Sequence, residues 1–303
     1  MRPTGIVFLN GRFVAAGRAA ISVFDRGLLY GDGLFETMRS YRGVAFALEQ
    51  HLERLGRSAR LLGITVPSHD WPAVLTALLR RNHLLRTDAA VRLTVTRGVC
   101  APGILPREVP VATTIMSARR IGREYARARQ RGVEVAVLPF SRNDFLAEHK
   151  SLNYLAPVLG RLLAAQHDAD EGVFVDDSGH LCEGTTSSLF LVRHGVISTV
   201  PATGILPGIT RRVVLDLAAQ SGIAKAEQPL TRRDLSECDE AFLTSSVGEI
   251  VPVVKVGHEP VGTGRPGAIT RALQRLYGEA VERYRAERGQ KSGVRSQPRR
   301  SRG

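Results

Sequence analysis

The chain has 303 residues, of which 43% are hydrophobic and 23% are charged, and its formal net charge at pH 7 is +13. It has no run of about eighteen apolar residues, which excludes a predicted membrane-spanning helix, and its N-terminus lacks the apolar stretch of a signal peptide. Its three scattered cysteines exclude a disulfide framework or a cysteine metal site and are typical of a protein in the reducing cytoplasm.

The N-terminal part of the chain has the patterns of a mixed domain. The apolar segments 6–9 and 12–15 are joined by Asn10 and Gly11, which accept the positive φ angles of a two-residue turn, so a β-hairpin is predicted. Further strands are predicted at 35–41, 90–96 and 109–116, and leucines at helical spacing predict a helix at 51–62. We expect these elements to form a small N-terminal domain, residues 1–118.

The second part of the chain is predicted to form a larger domain, residues 132–287. An arginine-rich polar stretch at 119–131 is the expected interdomain connection. Strands and helices alternate irregularly and include hairpins, which favours an α+β fold of two mixed domains over one doubly wound parallel sheet. The predicted elements are a strand at 133–138, short strands within 172–200, and helices at 154–167, 209–221 and 267–285.

The last segment, residues 288–303, holds almost half of the net charge. It contains six basic residues and no acid, which leaves +7 of the net +13 for residues 1–287. Its Gly, Ser, Gln and Pro content predicts a disordered basic tail that could bind polyanions nonspecifically. Because no aromatic platform or DNA-reading motif accompanies the charge, a specific nucleic-acid partner is not expected.

Lys150 is one of four lysines in a chain with 38 arginines. A guanidinium stays protonated and cannot form an imine, whereas a lysine amine in a partly desolvated site can lose its proton and attack a carbonyl. Lys150 is therefore the first candidate for covalent chemistry. Taken alone, its immediate segment favours a surface lysine on a loop before a helix.

Distinctive motifs occur in a fixed order around Lys150. They are Asp-Arg-Gly and Phe-Glu-Thr in 25–39, His-Leu-Glu-Arg in 49–54, Glu-Gly-Thr-Thr in 182–190, Gly-Ile-Thr-Arg in 204–211 and Leu-Thr-Ser-Ser in 242–252. With Lys150 they resemble the class-IV aminotransferases, pyridoxal-phosphate enzymes that include branched-chain and D-amino-acid aminotransferases and 4-amino-4-deoxychorismate lyase. The resemblance, which runs from about residue 6 to about residue 283, implies the D-amino-acid-aminotransferase-like fold (fold type IV). In that fold the larger domain binds the cofactor at the domain interface, and the enzyme is a homodimer.

Pyridoxal 5'-phosphate needs an amine for its aldehyde and an acid for its ring nitrogen. By resemblance, Lys150 carries the internal aldimine and shuttles the proton between substrate and cofactor. Glu183 matches the acid, since a carboxylate beside the pyridinium keeps the ring nitrogen protonated. Tyr154 resembles the tyrosine that hydrogen-bonds the phenolic oxygen. The alternatives are an exposed turn acid for Glu183 and a packed aromatic for Tyr154.

The phosphate of the cofactor requires hydrogen-bond donors. The motif at 208–211 leads directly into an apolar helix, and free amides at a helix N-terminus bind a dianion well. A Pro-Gly turn with a threonine cap is the alternative. By resemblance, the amides of Ile209 and Thr210 hold the phosphate and Leu206 packs on the ring. The further phosphate contacts implied by the resemblance are Ser246 and Arg54.

The substrate side is less defined. Arg39 and Arg92 lie in predicted strands, where an inward arginine could bind a carboxylate with two hydrogen bonds, although both could equally face solvent. They match carboxylate-binding positions of branched-chain aminotransferases, as Tyr30 matches a pocket tyrosine. Ala90, however, replaces a tyrosine of those enzymes, and residues 97–103 lack the Arg-x-His motif of the D-amino-acid enzymes.

Three functions remain from the sequence. The first is a transaminase that moves an amino group between a branched-chain or D-amino acid and a 2-oxo acid. The second is aminodeoxychorismate lyase, which needs the same cofactor chemistry but eliminates 4-aminobenzoate and pyruvate. The third is a noncatalytic polyanion-binding protein, which would have no use for Lys150 and Glu183 together.

Overall fold

The structure, a computed structural model, describes residues 4–107, 110–142 and 145–293, with side chains to residue 288. Within these ranges the strands are β1 (Ile6–Leu9), β2 (Arg12–Ala15), β3 (Gly33–Tyr41), β4 (Val44–Ala45), β5 (Ala89–Thr96), β6 (Thr114–Arg120), β7 (Val133–Ser141), β8 (Glu171–Val175), β9 (Leu181–Gly184), β10 (Ser188–Arg193), β11 (Val196–Thr199), β12 (Lys225–Glu227), β13 (Glu240–Ser245), β14 (Glu249–Val256) and β15 (Glu259–Pro260). The helices are α1 (Arg26–Tyr30), α2 (Leu48–Leu61), α3 (Trp71–Arg81), α4 (Arg123–Arg131), α5 (Leu155–Gln166), α6 (Ile209–Gln220), α7 (Arg232–Glu237) and α8 (Ala268–Gly293). Two single-turn 3-10 helices cover Ala16–Arg18 and Phe145–Glu148.

The first six strands form one antiparallel sheet in the order β2-β1-β6-β5-β3-β4. The predicted hairpin is confirmed, because Asn10 (φ 47°) and Gly11 (φ 84°) have the positive φ angles of the two-residue turn between β1 and β2. Helices α2 and α3 cover this sheet. Leu55, Leu78 and Met38 are buried in the core between the sheet and the helices.

The remaining strands form a second sheet in the order β12-β11-β10-β13-β14-β7-β8-β9, with β15 paired to β14. Strand β7 is parallel to both β8 and β14, whereas most other pairs are antiparallel. Helices α6 and α8 contact this sheet through a core that contains the stacked rings of Phe190 and Phe242. Helix α5 packs on β7 and β8. One antiparallel sheet and one mixed sheet, each packed against helices, confirm the predicted α+β fold.

The stretch 119–131, predicted as a connection, lies between the two sheets and is largely helical. Strand β6 ends at Arg120, α4 follows, and β7 begins at Val133. The segment between β7 and α5 is bonded to the first sheet, because Phe35 N donates to Lys150 O (2.9 Å) and Leu152 N donates to Gly33 O (2.9 Å). The segment that carries Lys150 is therefore fixed to the start of β3 in the first sheet.

The two largest differences from the predicted boundaries are at the start of β6 and at the end of α8. Strand β6 begins at Thr114 instead of residue 109, and Pro110, which has no N–H to donate, lies outside the ladder. Residue 109 itself is outside the described residues. Helix α8 extends to Gly293, so residues 288–293 of the predicted disordered tail are helical; residues 294–303 lie outside the described residues. Arg288 anchors this extension through an ion pair with Glu49 (2.6 Å) and a contact over the Tyr284 ring.

No helix in the described ranges has the length and apolar composition needed to cross a membrane.

Candidate active site

A cavity of about 340 Å³ is lined by residues of both sheets. Every residue that the sequence assigned to the cofactor lies on its wall: Arg54, Lys150, Tyr154, Glu183, Leu206, Ile209, Thr210 and Ser246. Of the three candidates for the substrate, Arg92 lies on the wall, whereas Arg39 and Tyr30 lie elsewhere. The fold thus brings together residues that are almost two hundred positions apart in the sequence.

Lys150 presents its amine to the cavity beside two aromatic rings. Its Nζ donates to Tyr154 Oη at 3.3 Å and lies 4.7 Å from the centre of the Phe35 ring. The Tyr154 and Phe35 rings meet edge to face, which fixes both side chains. Lys150 has no ion pair with a carboxylate in the described part of the chain. The amine therefore has a hydroxyl and ring faces as neighbours.

Glu183 is a buried carboxylate on the wall of the same cavity, in β9. Its Oε1 lies 3.3 Å from Arg142 Nη1, and its Oε2 accepts a hydrogen bond of 3.3 Å from Leu206 N. Burial raises the pKa of Glu183 to about 7, although the Arg142 charge and the Leu206 amide both favour the ionised form. A cationic group placed beside this carboxylate would lower that pKa and be stabilised in return.

The N-terminus of helix α6 opens onto the same cavity. Gly208 is the N-cap and supplies no side chain, so no side-chain cap satisfies the first amides of the helix, those of Ile209 and Thr210. A Cβ atom at Gly208 would lie 2.8 Å from Ser188 Oγ and 3.2 Å from Arg211 Cβ, so a larger residue here would require these side chains to shift. Arg54 Nη1 donates to Pro207 O at 2.8 Å, which places a guanidinium beside the helix terminus. Free amides and a cation together form an anion site.

Arg54 is held by a buried acid that the sequence analysis did not single out. Glu36 accepts bonds from Arg54 Nε (2.8 Å) and Nη2 (2.7 Å), and His51 Nδ1 lies 2.6 Å from its Oε2. Burial alone would raise the pKa of Glu36, but the charge and hydrogen bonds of Arg54 and the bond to His51 lower it to about 2. Both residues belong to motifs that were recognised, Phe-Glu-Thr and His-Leu-Glu-Arg, and this was the signal that could have identified them.

Unpaired polar groups on the cavity wall match a polar ligand with an anionic end. Ser187 Oγ and Thr244 Oγ1 are buried and have no hydrogen-bond partner among the described residues. Buried polar atoms normally have a partner, so a ligand is the expected source of one. The amine, the acid and the helix terminus are the three groups that pyridoxal phosphate requires, and the residues present therefore fit this cofactor.

The three substrate candidates lie in different environments. Arg92 is on the cavity wall, with its guanidinium 3.6 Å from the centre of the Phe35 ring. Arg39 is buried and binds Asp88 (2.8 Å), Glu249 (3.1 Å) and the Val247 carbonyl (2.8 Å), so its guanidinium serves an ion-pair cluster outside the main cavity.

Tyr30 is exposed, at 40% of its surface, and lies under the Arg26 guanidinium away from the cavity of its own chain. Further arginines on the cavity wall were not predicted, because no local pattern separates an inward arginine from a solvated one. They are Arg119, Arg142, Arg161 and Arg211.

Comparison with known proteins agrees with this geometry. The profile of the family described as amino-transferase class IV matches residues 33–256. A protein of Methanocaldococcus jannaschii, provisionally named a branched-chain-amino-acid aminotransferase, is 40% identical over 89% of this chain and 94% of its own length. The D-alanine aminotransferase of Bacillus licheniformis is 32% identical (88% and 94%). The aminodeoxychorismate lyase of Bacillus subtilis is also 32% identical (94% and 97%).

Solved structures show the same fold. The branched-chain amino acid aminotransferase of Escherichia coli superimposes with a TM-score of 0.84 at 30% identity, over 91% of this chain and 94% of that chain. The branched-chain amino acid aminotransferase of T.th., solved with pyridoxamine 5'-phosphate, gives a TM-score of 0.83 at 29% identity, over 93% and 95%. The chain therefore belongs to the class-IV aminotransferases, a family of pyridoxal-phosphate enzymes.

Proposed function

We propose that the protein is a pyridoxal-phosphate-dependent transaminase that moves an amino group between a branched-chain amino acid and a 2-oxo acid. The observation that carries this proposal is the placement of the Lys150 amine and the buried Glu183 carboxylate on one cavity wall, with the N-terminus of α6 beside them. An amine for a carbonyl, an acid for a ring nitrogen and donors for a phosphate are the parts that this chemistry needs.

Different residues would bind the carbonyl, the ring nitrogen and the phosphate of the cofactor. When bound, pyridoxal phosphate supplies a carbonyl carbon for amines and a ring that accepts electrons. The Lys150 amine would bond to the carbonyl carbon. The Glu183 carboxylate would accept a hydrogen bond from the ring nitrogen and keep it protonated. The amides of Ile209 and Thr210 and the Arg54 guanidinium bind the phosphate. Contacts from Leu206, Tyr154 and Ser246 complete the site.

Lys150 Nζ is also the group that moves protons during transfer. Once free of the carbonyl carbon, the amine would take the proton from Cα of the amino acid and deliver it to the former carbonyl carbon of the cofactor. Tyr154 Oη, 3.3 Å from Nζ, orients the amine. The Phe35 ring beside Nζ keeps water from one side of it and has no polar group that could compete for the proton.

The amino-acid donor is bound between Arg92 and the apolar part of the wall. Arg92 has no carboxylate partner in the described part of the chain, and stacking on Phe35 holds its guanidinium toward the cavity. A substrate carboxylate is a suitable partner for it. We favour a branched-chain donor because the relative of that name is 40% identical, against 32% for the D-alanine enzyme.

Aminodeoxychorismate lyase is the second candidate. The observation that favours it is the 32% identity with the Bacillus subtilis lyase over 94% of this chain. The lyase would use Lys150 and Glu183 in the same roles up to the loss of the Cα proton. It would then release 4-aminobenzoate and pyruvate instead of returning the proton.

We also propose that the protein acts as a homodimer in the cytoplasm. The outer face of α5 is apolar, and its four residues at helical spacing are between 46% and 80% exposed: Leu155, Val158, Leu159 and Leu162. The segment 21–30 is a second exposed apolar surface. A second copy that covered these surfaces could receive Tyr30 at its own cavity, which would explain a pocket tyrosine outside the cavity of its own chain. Charge substitutions on the α5 face should dissociate the dimer, which sedimentation experiments would detect. A wild-type protein that is monomeric would contradict the proposed homodimer.

The deciding experiment uses the purified protein loaded with pyridoxal phosphate and one amino acid at a time. L-leucine alone should convert the bound cofactor to pyridoxamine phosphate, with release of an equal amount of 2-oxo acid. D-alanine and a Lys150→Ala variant are the controls. Conversion by D-alanine and not by L-leucine would reassign the donor. Release of pyruvate only from aminodeoxychorismate would establish the lyase.

A further inference from the structure

The buried residues Glu36 and His51 lie behind the proposed phosphate site and take no part in the transfer steps. His51 Nδ1 is 2.6 Å from Glu36 Oε2, and its Nε2 is 3.5 Å from Ser246 Oγ. Ser246 lines the main cavity, whereas His51 is 2% exposed. A chain of hydrogen bonds thus runs from a buried carboxylate through an imidazole to a hydroxyl on the wall where the phosphate would bind.

The charge of Glu36 determines the tautomer of His51. Because Glu36 stays ionised, it can only accept, so His51 Nδ1 carries the hydrogen that it receives. In a neutral imidazole the other nitrogen is then an acceptor. Nε2 therefore accepts the hydroxyl hydrogen of Ser246, which leaves no hydrogen on Ser246 Oγ for a ligand.

A bound phosphate changes this arrangement. The dianion of a phosphate ester has only acceptors, and the Ser246 hydroxyl has a single hydrogen to give. If Ser246 donates to the phosphate, an unprotonated Nε2 faces an oxygen lone pair across 3.5 Å in a buried site. Two acceptors that face each other without a hydrogen are unfavourable, so Nε2 needs a proton of its own.

Burial and the charges around His51 keep its imidazole neutral without a ligand, and a bound dianion would favour the charged form. Burial lowers the pKa of His51, the Glu36 carboxylate raises it, and the Arg54 and Lys150 charges lower it, with a net result below the ordinary value. Arg39 and Tyr277 also face His51 across a small second cavity. Without an anion His51 is therefore neutral near pH 7. A dianion beside Ser246 adds two negative charges and favours the imidazolium.

We propose that binding of the cofactor phosphate is coupled to the uptake of one proton by His51, transmitted through Ser246. This inference rests on the proposed function, because it needs the phosphate at the α6 terminus. The balance is simple: the Ser246 hydrogen turns from Nε2 to a phosphate oxygen, a proton from solvent bonds to Nε2, and Nε2 then donates to Ser246 Oγ. Glu36 remains ionised throughout and becomes the counter-charge of the imidazolium.

The test uses pyridoxamine 5'-phosphate and the full-length protein freed of cofactor, since this probe has no aldehyde to react with Lys150. Calorimetric titration in buffers of different ionisation heat counts the protons taken up on binding. Above pH 7.5, where the phosphate is a dianion, we expect about one more proton for the wild type than for His51→Gln. For each unit of pH increase, the Kd of the wild type should grow by a factor about ten times larger than the factor for the variant.

Two variants separate coupling from a merely structural role. In His51→Gln the side-chain amide can donate to Ser246 at every pH, so pyridoxamine phosphate should bind well and with little pH dependence. Ser246→Ala keeps His51 but breaks the connection, and its proton uptake should fall to that of His51→Gln. The ¹⁵N shifts of the His51 ring should change from neutral to imidazolium values when the probe binds to the wild type.

Equal proton uptake by wild type and both variants, or a His51 ring that stays neutral in the complex, would overturn the proposal. A wild-type protein that does not bind pyridoxamine phosphate at all would instead overturn the proposed function, and this inference with it.

Discussion

Arg142 and Glu183 form an ion pair on the cavity wall, with Nη1 of the arginine 3.3 Å from Oε1 of the glutamate. The pair is largely shielded from solvent, at 14% and 7% side-chain exposure. Without the guanidinium the buried carboxylate would hold its proton more tightly still. The pKa of Glu183 near 7 therefore reflects a balance between burial and Arg142, and a pyridinium would complete that balance.

Glu183→Gln should retain the cofactor but lose most of its turnover. An amide cannot stabilise the protonated ring nitrogen, and loss of one charged hydrogen-bond partner costs about 1.5 to 3 kcal/mol, or roughly ten- to hundred-fold in kcat. Steady-state kinetics and the absorption spectrum measure both effects. Glu183→Asp, which keeps the charge, is the control, and wild-type turnover by the Gln variant would refute the ring-nitrogen role.

Glu183 should also make the cofactor-free protein less stable as pH rises. Its folded pKa of about 7 is above the ordinary 4.5, so the folded state binds the proton more tightly, and this stabilisation is lost as pH rises from about 5 through 7. Glu183→Gln removes the titration. Relative to wild type, the variant should gain about 2 kcal/mol in free energy of unfolding between pH 5 and pH 8. Urea titrations at the two pH values test this, and a pH-independent difference would contradict it.

Borohydride treatment of the loaded protein should attach the cofactor covalently to Lys150. The other lysines are Lys225, Lys255 and Lys291; Lys225 and Lys255 do not line the cavity, and the side chain of Lys291 lies outside the described part of the chain. Peptide mapping that places the adduct on one of these three would refute the assignment. Lys150→Arg should keep the positive charge and abolish turnover, because arginine cannot bond to the carbonyl carbon.

Arg92 and Arg39 should respond differently to the same substitution. Arg92→Leu should raise the KM for the amino acid roughly ten- to hundred-fold while the protein keeps its stability and cofactor, since it removes a charged hydrogen bond to the substrate. Arg39→Leu should lower the free energy of unfolding by about 3 kcal/mol, because it leaves Asp88 and Glu249 without their partner. Thermal unfolding and steady-state kinetics of both variants distinguish the substrate role of Arg92 from the structural role of Arg39. A KM effect from Arg39→Leu at unchanged stability would restore it as a substrate residue.

Truncation at two positions near the end of the chain should have different effects. A protein that ends at residue 293 should keep its cofactor and turnover but elute earlier from heparin, since residues 294–303 contain four arginines and no acid. A protein that ends at residue 287 should in addition lose stability, because it lacks the ion pair of Arg288 with Glu49. Equal unfolding temperatures for the two proteins would show that this contact contributes nothing.

Elements with a local signal were predicted within a few residues. Helices α5 and α6 were expected at 154–167 and 209–221 and lie at Leu155–Gln166 and Ile209–Gln220. Helix α3 was not predicted, although Asp70 accepts from Ala73 N and Pro72 occupies its first turn, both recognised start signals. The parallel pairing of β7 with β14 could not be predicted, because no local pattern encodes a partner more than a hundred residues away.

In the site, too, residues with a local sequence signal could be predicted and roles that depend on distant residues could not. The residues proposed for the cofactor could be named from the sequence because each belongs to a motif that resembles the family, and the structure places them on one cavity wall. Arg39 and Arg92 could not be distinguished, since both lie on paired strands and the difference comes from Asp88 and Glu249, which reach Arg39 from other parts of the chain. The burial of Glu36 likewise depends on the packing of α2 on β3.

Because the Lys150 segment is bonded to β3, the position of its amine relative to Glu183 depends on how the two sheets are oriented. The amine is carried by a segment bonded to Gly33 and Phe35 of the first sheet, while Glu183 is part of the second. A small rotation of one sheet against the other would change the separation of amine and acid without altering either side chain. The rate of transfer should therefore be sensitive to substitutions far from the cavity that disturb only this alignment, and such variants would bind cofactor normally while turning over slowly.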